Sequence, residues 1–245
     1  DTAYALDLLT DLPVPVVVTG AQRRLDEPSS DVPANLTLAV RTAADERFGP
    51  GVHVAFDDEV HAGRDAVKTH SNALSTMASP ASAPVATVTR STTRLLREPR
   101  RGVAREPLCV PDGPIDASDP EAAEELVPAV PVIHSGTGVS GAGIERALNA
   151  GVGGIVVEGT GLGNATGAIG DAVAEAVPRV PVVVAGRPAG PTEPVYGTPG
   201  GAVTLAEHGV VFADDLPAAK ARVGLALGLA AGVPRESLGE LFVRP

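Results

Sequence analysis

Gly154-Ile155-Val156-Val157-Glu158 followed by Gly159-Thr160-Gly161-Leu162-Gly163-Asn164 decides the fold of the chain's second half. A short β-branched run that ends in a glycine-rich turn reads as a buried strand, and the stretch 165–177 that follows has helical spacing. Val180 to Ala185 is a second such run, so the unit is strand, helix, strand. The series extends both ways: strand Val130 to His134 and helix Ala142 to Ala150 precede it. A short helix near Leu205, a strand at Val210 to Phe212, and helices at Pro217 to Ala231 and Arg235 to Leu241 follow. Strands regularly separated by helices imply a parallel sheet covered on both faces, here a small doubly wound domain over 129–245.

The first half carries a similar grammar. A helix around Ala3 to Leu9 leads to strand Val14 to Val18, an amphipathic helix spans Pro33 to Ala44 with Leu36, Val40 and Ala43 on one side, and Val52 to Phe56 is the next strand. Asp57 to Lys68 reads as a polar loop beyond a carboxyl strand end, where open α/β sheets bind ligands. Val85 to Leu96 suggests a hairpin, and the Pro- and acid-rich stretch 105–128 a linker. The fold class is therefore α/β, with two parallel-sheet domains: an incomplete Rossmann-like one over 1–104 and a flavodoxin-like one over 129–245.

Composition narrows the function classes. The 245 residues are 44% apolar but only 2% aromatic, so the cores are built from Val, Ala, Leu and Ile, and base-stacking platforms cannot be numerous. Nineteen basic against thirty acidic residues gives a net charge of −11, which repels free nucleic acid and anionic membranes. The single cysteine, Cys109, excludes an internal disulfide and a cysteine-based zinc site. No apolar run is long enough to span a bilayer, and a cytoplasmic protein is expected. Asp1 opens the chain and the only methionine is Met77, so a segment upstream of Asp1 is expected.

Four features carry candidate chemistry. Lys68 is one of two lysines in a chain that otherwise uses arginine for positive charge. An ε-amine can lose its proton and activate a hydroxyl, which a guanidinium cannot; the plainer reading is a solvated surface charge. Gly136-Thr137-Gly138-Val139-Ser140-Gly141 fits G-x-G-x-x-G, with Glu158 where a ribose-binding acid would stand, or else allows tight passage from strand to helix. Asp57, Asp58, Glu59 and His61 could ligate a metal, but neighbours on an extended loop point apart, so salt bridges and loop hydrogen bonds suit them better. Asn164 either caps a helix or presents its amide to a ligand.

Val16-Val17-Val18-Thr19-Gly20-Ala21-Gln22-Arg23, Ser29-Ser30-Asp31 with Asn35, and His61-Ala62-Gly63-Arg64-Asp65 through Lys68-Thr69-His70-Ser71 resemble the first domain of bacterial- and archaeal-type L-asparaginases. Gly154 to Gly159, Gly163-Asn164 and Pro194-Val195-Tyr196-Gly197 continue the resemblance in the family's order, and the composition looks most like the form from salt-loving archaea. The resemblance implies hydrolysis of L-asparagine to L-aspartate and ammonia through a threonine acyl-enzyme, with no cofactor and no metal. It places Lys68 in the family's Thr-Lys-Asp triad and Ala21 at a backbone contact to substrate. Asn164 falls where a residue completes the neighbouring subunit's pocket, which implies a homodimer or homotetramer. Both threonine motifs would lie upstream of Asp1, so the 245 residues alone are expected to be inactive. Val32 stands where the family often has glycine, and no acidic substrate contact in the second domain is carried over. Alternatives are the ammonia-releasing amidotransferase subunit of archaeal Gln-tRNA synthesis, a non-catalytic amino-acid-binding protein on the same scaffold, and a nucleotide-binding module.

Overall fold

The β-branched runs do become sheet strands, and the helical stretches cover them. The computed structural model describes residues 1–99, 106–110 and 126–244, which divide into two compact units, residues 2–107 and 108–244. The linker expected over 105–128 lies largely outside the described residues. No helix among them is long and apolar enough to cross a membrane.

In the first unit, helix α1 (Thr2–Leu9) buries Ala3, Tyr4, Asp7 and Leu8. Strand β1 (Pro15–Val18), helix α2 (Val32–Ala43) and strand β2 (Gly51–Phe56) form a crossover whose strands pair in parallel, Val16 opposite Val52 and Val18 opposite Val54. Beyond β2 the structure departs from the sequence reading. Asp57 and Asp58 both adopt positive φ, 49° and 62°, and close a two-residue turn into β3 (Glu59–Ala62), with Phe56 opposite Glu59. Two left-handed residues match the twist of a hairpin, and Asp tolerates that region better than most side chains. The expected loop is thus a hairpin, and its signal was the alternation of Val54, Phe56, Val60 and Ala62 around an Asp-Asp pair. A separate ribbon, β4 (Val67–Lys68) with β5 (Met77–Ala78), precedes the foreseen hairpin β6 (Ala86–Val88) and β7 (Thr93–Leu95). The main sheet has order β1-β2-β3-β6-β7, parallel only between its first two strands. The parallel sheet expected here is corrected to a mixed one.

The buried stripe of α2 also differs. Asn35, Leu38, Ala39 and Thr42 face inward, while Leu36 and Val40 are 56% and 61% exposed. Both stripes fit helical periodicity, but the inward one carries two polar residues whose hydrogen bonds are satisfied inside the fold: Thr42 Oγ1 donates to Leu38 O at 2.9 Å, and Asn35 is bonded at both ends of its amide. Counting apolar residues therefore selected the wrong face. Leu38 packs with Phe48, Ala55, Val60 and Val88.

The metal reading of the β2–β3 turn gives way to a local network. His61 is buried, with Nδ1 2.9 Å from Ser79 Oγ and Nε2 3.5 Å from Glu59. Burial, followed by the neighbouring Asp57 charge, raises the Glu59 carboxyl above its usual range.

In the second unit, β8 (Val132–His134), α3 (Ala142–Asn149), β9 (Ile155–Gly159), α4 (Gly167–Ala176), β10 (Val182–Gly186), α5 (Ala202–Glu207), β11 (Val211–Phe212) and α6 (Ala218–Ala230) alternate as read, before a 3-10 helix, Arg235–Leu241. The sheet is parallel throughout, order β11-β10-β9-β8. Ile155, Val157, Val182 and Val184 join Ile144, Ile169, Val173 and Leu205 of α3, α4 and α5 in one core, and α6 packs on the same strands from the other face. Packing explains the last glycine of the G-x-G-x-x-G run, Gly141, and a φ of 79° the middle one, Gly138. A Cβ on Gly141 would sit 2.6 Å from the Cβ of Ala172, so its absence lets the start of α3 lie against α4.

Two consequences are measurable. Leu38→Ala is expected to cost about 2–4 kcal/mol of unfolding free energy, and Leu36→Ala less than about 0.5, by denaturant titration. His53, fully buried on β2 with its ring edge-on to Phe48 at 5.3 Å, has its pKa lowered from 6.5 to about 4 by burial first and the Arg97 charge second, against a backbone contact at Gly49. The unfolded chain therefore takes up this proton first as pH falls: stability from neutral His53 is complete above pH 6.5 and is lost toward pH 4. The loss across that window is roughly 3 kcal/mol, and His53→Leu is expected to remove this share of the pH dependence.

Candidate active site

At the carboxyl end of β1, Thr19 Oγ1 donates to Ala55 O of β2 at 2.8 Å, and the chain then turns through Gly20-Ala21-Gln22-Arg23. One carboxylate shapes that turn. Asp31 stands at the N-cap position of α2 but does not cap the helix with its side chain. Instead it accepts the N–H of Gln22 at 3.0 and 3.2 Å and of Arg23 at 2.9 Å, together with Asn35 Nδ2 at 2.9 Å. Asn35, one helical turn further along α2, donates also to Gly20 O at 2.9 Å and accepts the Asp57 N–H at 3.0 Å. The exit of β1, the start of α2 and the β2–β3 turn are thereby tied together. Desolvation would raise the Asp31 carboxyl, but the hydrogen bonds from Gln22, Arg23 and Asn35 outweigh it and hold it below the usual range.

Ala21 is exposed between two clamped peptides, the Gly20 carbonyl on Asn35 and the Gln22 N–H on Asp31. Lys68, on β4 opposite Met77, donates from Nζ to Gln22 Oε1 at 2.7 Å. Ala21 and Lys68 are therefore brought to one place by Gln22. Gln22 Nε2 donates in turn to Ser71 O and Ala73 O, each at 3.1 Å. The loop that offers those carbonyls is braced by His70, whose Nδ1 accepts the N–H groups of Asn72 and Ala73 at 3.0 and 2.9 Å. The Lys68 amine is exposed, not screened as its proposed chemistry would require, because β4 and β5 form a ribbon separate from the five-stranded sheet. Nothing in the sequence patterning gave Asp31, Asn35 or Gln22 a role of its own. The available signal was an Asp immediately before a helix and an Asn four residues later on the same face.

Within the second unit, Asn164 Oδ1 accepts the Ala202 N–H at 3.0 Å, so it caps α5 and not the helix that follows it. Its backbone pairs with Thr160 in both directions, at 2.7 and 2.9 Å, leaving the Nδ2 amide as the remaining donor. Glu158, expected as a ribose acid, instead binds His134 Nδ1 at 2.7 Å and Arg187 Nε at 3.0 Å. Burial raises its carboxyl, and these two partners more than reverse that. Among the described residues no three His, Cys, Asp or Glu side chains group as a metal site.

Residues 1–101 match the family described as Asparaginase, N-terminal, and residues 129–242 that described as Glutaminase/Asparaginase C-terminal domain. A probable L-asparaginase of Deinococcus radiodurans is 30% identical over 246 residues, 100% of this chain and 71% of that protein. The chain belongs to the asparaginase family. Another relative, a probable periplasmic L-asparaginase of Haemophilus influenzae, is 34% identical over 94% of this chain and 62% of its own length. A glutamyl-tRNA(Gln) amidotransferase subunit of Methanothermobacter thermautotrophicus is 35% identical over 66% of this chain and 36% of its own length. The chain thus spans less than two thirds of the length of these last two relatives.

In this asparaginase-family chain, Asp31→Ala strands three donors around a turn that carries Ala21. The expected cost is about 2–3 kcal/mol of stability, read by denaturant unfolding at pH 7. Because the native Asp31 carboxyl lies below its usual range, the wild-type advantage over this variant is complete at neutral pH and declines as pH falls through the acid range.

Proposed function

We propose that the protein is an L-asparaginase that hydrolyses the side-chain amide of L-asparagine to L-aspartate and ammonia. The observation that supports this most is the pair of family matches in sequence order, together with a lysine presented at the carboxyl end of β1 beside the clamped Ala21 turn. In the proposed reaction a threonine hydroxyl attacks the amide carbon while its proton passes to the neutral Lys68 amine. Lys68 hands that proton on to the departing nitrogen, ammonia leaves as the acyl-enzyme ester forms, and water then cleaves the ester, returning a proton to the threonine oxygen and releasing aspartate. The threonine belongs, on this proposal, to polypeptide preceding Asp1, which also screens the Lys68 amine from water. The peptide at Ala21 contacts the substrate, and the free amide of Asn164 completes the pocket of a neighbouring copy in a homodimer or homotetramer. We place the protein in the cytoplasm, where a lone cysteine stays reduced.

The similarity to the amidotransferase supports a second reading, in which the same amide hydrolysis feeds ammonia to a tRNA-bound partner protein. The net charge of −11 on these 245 residues disfavours tRNA contact by them, and on this reading the contact falls to the partner.

Steady-state ammonia release separates these outcomes. The full-length protein is expected to release ammonia from free asparagine, and Lys68→Met to lower kcat by about 10³-fold or more. The 245 residues expressed alone are expected to release none. Equal turnover in Lys68→Met would remove the proposed role of the amine, and release only in the presence of charged tRNA and a partner protein would favour the second reading.

A further inference from the structure

We propose that Gln22 is a positioning residue that holds the Lys68 amine for proton transfer, through hydrogen bonds that begin at the Asp31 carboxylate; the proposal rests on the asparaginase reading above. Gln22 is fixed at three points. Its backbone N–H is held by Asp31 at 3.0 Å, its Nε2 by Ser71 O and Ala73 O at 3.1 Å each, and its Oε1 faces Lys68 Nζ at 2.7 Å. Chemistry allows one orientation of the amide. Two carbonyl oxygens accept only, so the end facing them must be the NH2 group, and the end facing the amine must be the oxygen. A flipped amide would set oxygen against two oxygens and NH2 against an amine.

A glutamine also suits an amine that has to give up its proton. The neutral carbonyl orients Nζ with one hydrogen bond and leaves its other positions open to a hydroxyl. A carboxylate in the same place would pair with the ammonium and favour the protonated form. Because both ends of Gln22 are already ordered by the Asp31 clasp and the His70-braced loop, little further ordering is required when the amine reacts.

The test uses the full-length protein with Gln22→Leu and Gln22→Glu, and three readouts. In Gln22→Leu, kcat for ammonia release from asparagine is expected to fall about 10- to 100-fold with KM changed less than about threefold. In Gln22→Glu, the acid limb of the kcat/KM profile is expected to move to higher pH by about one unit. In protein labelled with 13C-lysine, the Lys68 signal is assigned by its loss in Lys68→Met; its 13Cε relaxation should report a held side chain in the wild type and a looser one in Gln22→Leu, with the buried Lys220 as internal reference. Wild-type kcat, an unmoved pH profile or unchanged Lys68 relaxation would overturn the proposal, as would a lowered melting temperature as the sole effect. If Gln22→Leu does not fold, the pH profile of Gln22→Glu decides. If the wild type releases no ammonia, the asparaginase reading fails on its own, and Lys68 relaxation still decides whether Gln22 holds the amine.

Discussion

The Asp31 carboxylate is the constraint on which the first unit's functional end depends. Three N–H donors converge on it, two from the backbone of the β1 exit and one from Asn35, so the turn at Gly20 to Arg23 cannot relax without leaving donors unpaired. Desolvation acts against this carboxylate, and the donors overcome it. The balance explains how an exposed residue such as Ala21 presents a defined peptide: its two neighbours are bound, and it is not. Asn35 carries the same constraint across to the Asp57 N–H, so the reversal of β2 into β3 is set by the helix that also shapes the β1 turn.

The second unit solves a different problem with different means. Its two central strands are largely buried, with Ile155, Val156, Val157, Val182, Val183 and Val184 shut off from solvent, and close approach of α3 and α4 is secured by leaving a side chain out at Gly141. At its carboxyl edge charge is neutralised locally, with His134 and Arg187 sharing Glu158, while Asn164 joins the turn after β9 to the start of α5. Glu158, which the G-x-G-x-x-G pattern offers as a ribose ligand, is here occupied by two basic side chains.

Some of this was legible in the sequence for a physical reason. A buried parallel strand cannot tolerate polar residues on either face, so Val182-Val183-Val184 and Ile155-Val156-Val157 announce themselves. The Lys68 candidate was legible because lysine is rare in this chain. What misled was the assumption that apolar residues point inward: α2 turns Leu36 and Val40 to the surface and buries Asn35, since an amide that bonds Gly20 and Asp57 contributes more there than a methyl group. The β2–β3 hairpin was missed because its turn is Asp-Asp and not the Asn-Gly that usually marks left-handed pairs.

By itself the sequence determined the alternation of strands and helices and the family, and it offered Lys68 and Ala21 as candidates, because these depend on residue type and short-range spacing. Only the tertiary structure decided that the first sheet is mixed, that Asp31 closes the β1 turn, and that Gln22 joins Ala21 to Lys68. Gln22 and Lys68 lie 46 positions apart, and no local pattern encodes which side chains meet across such a separation. That is set by the register of β1 on β2 and by the path of the β4–β5 ribbon.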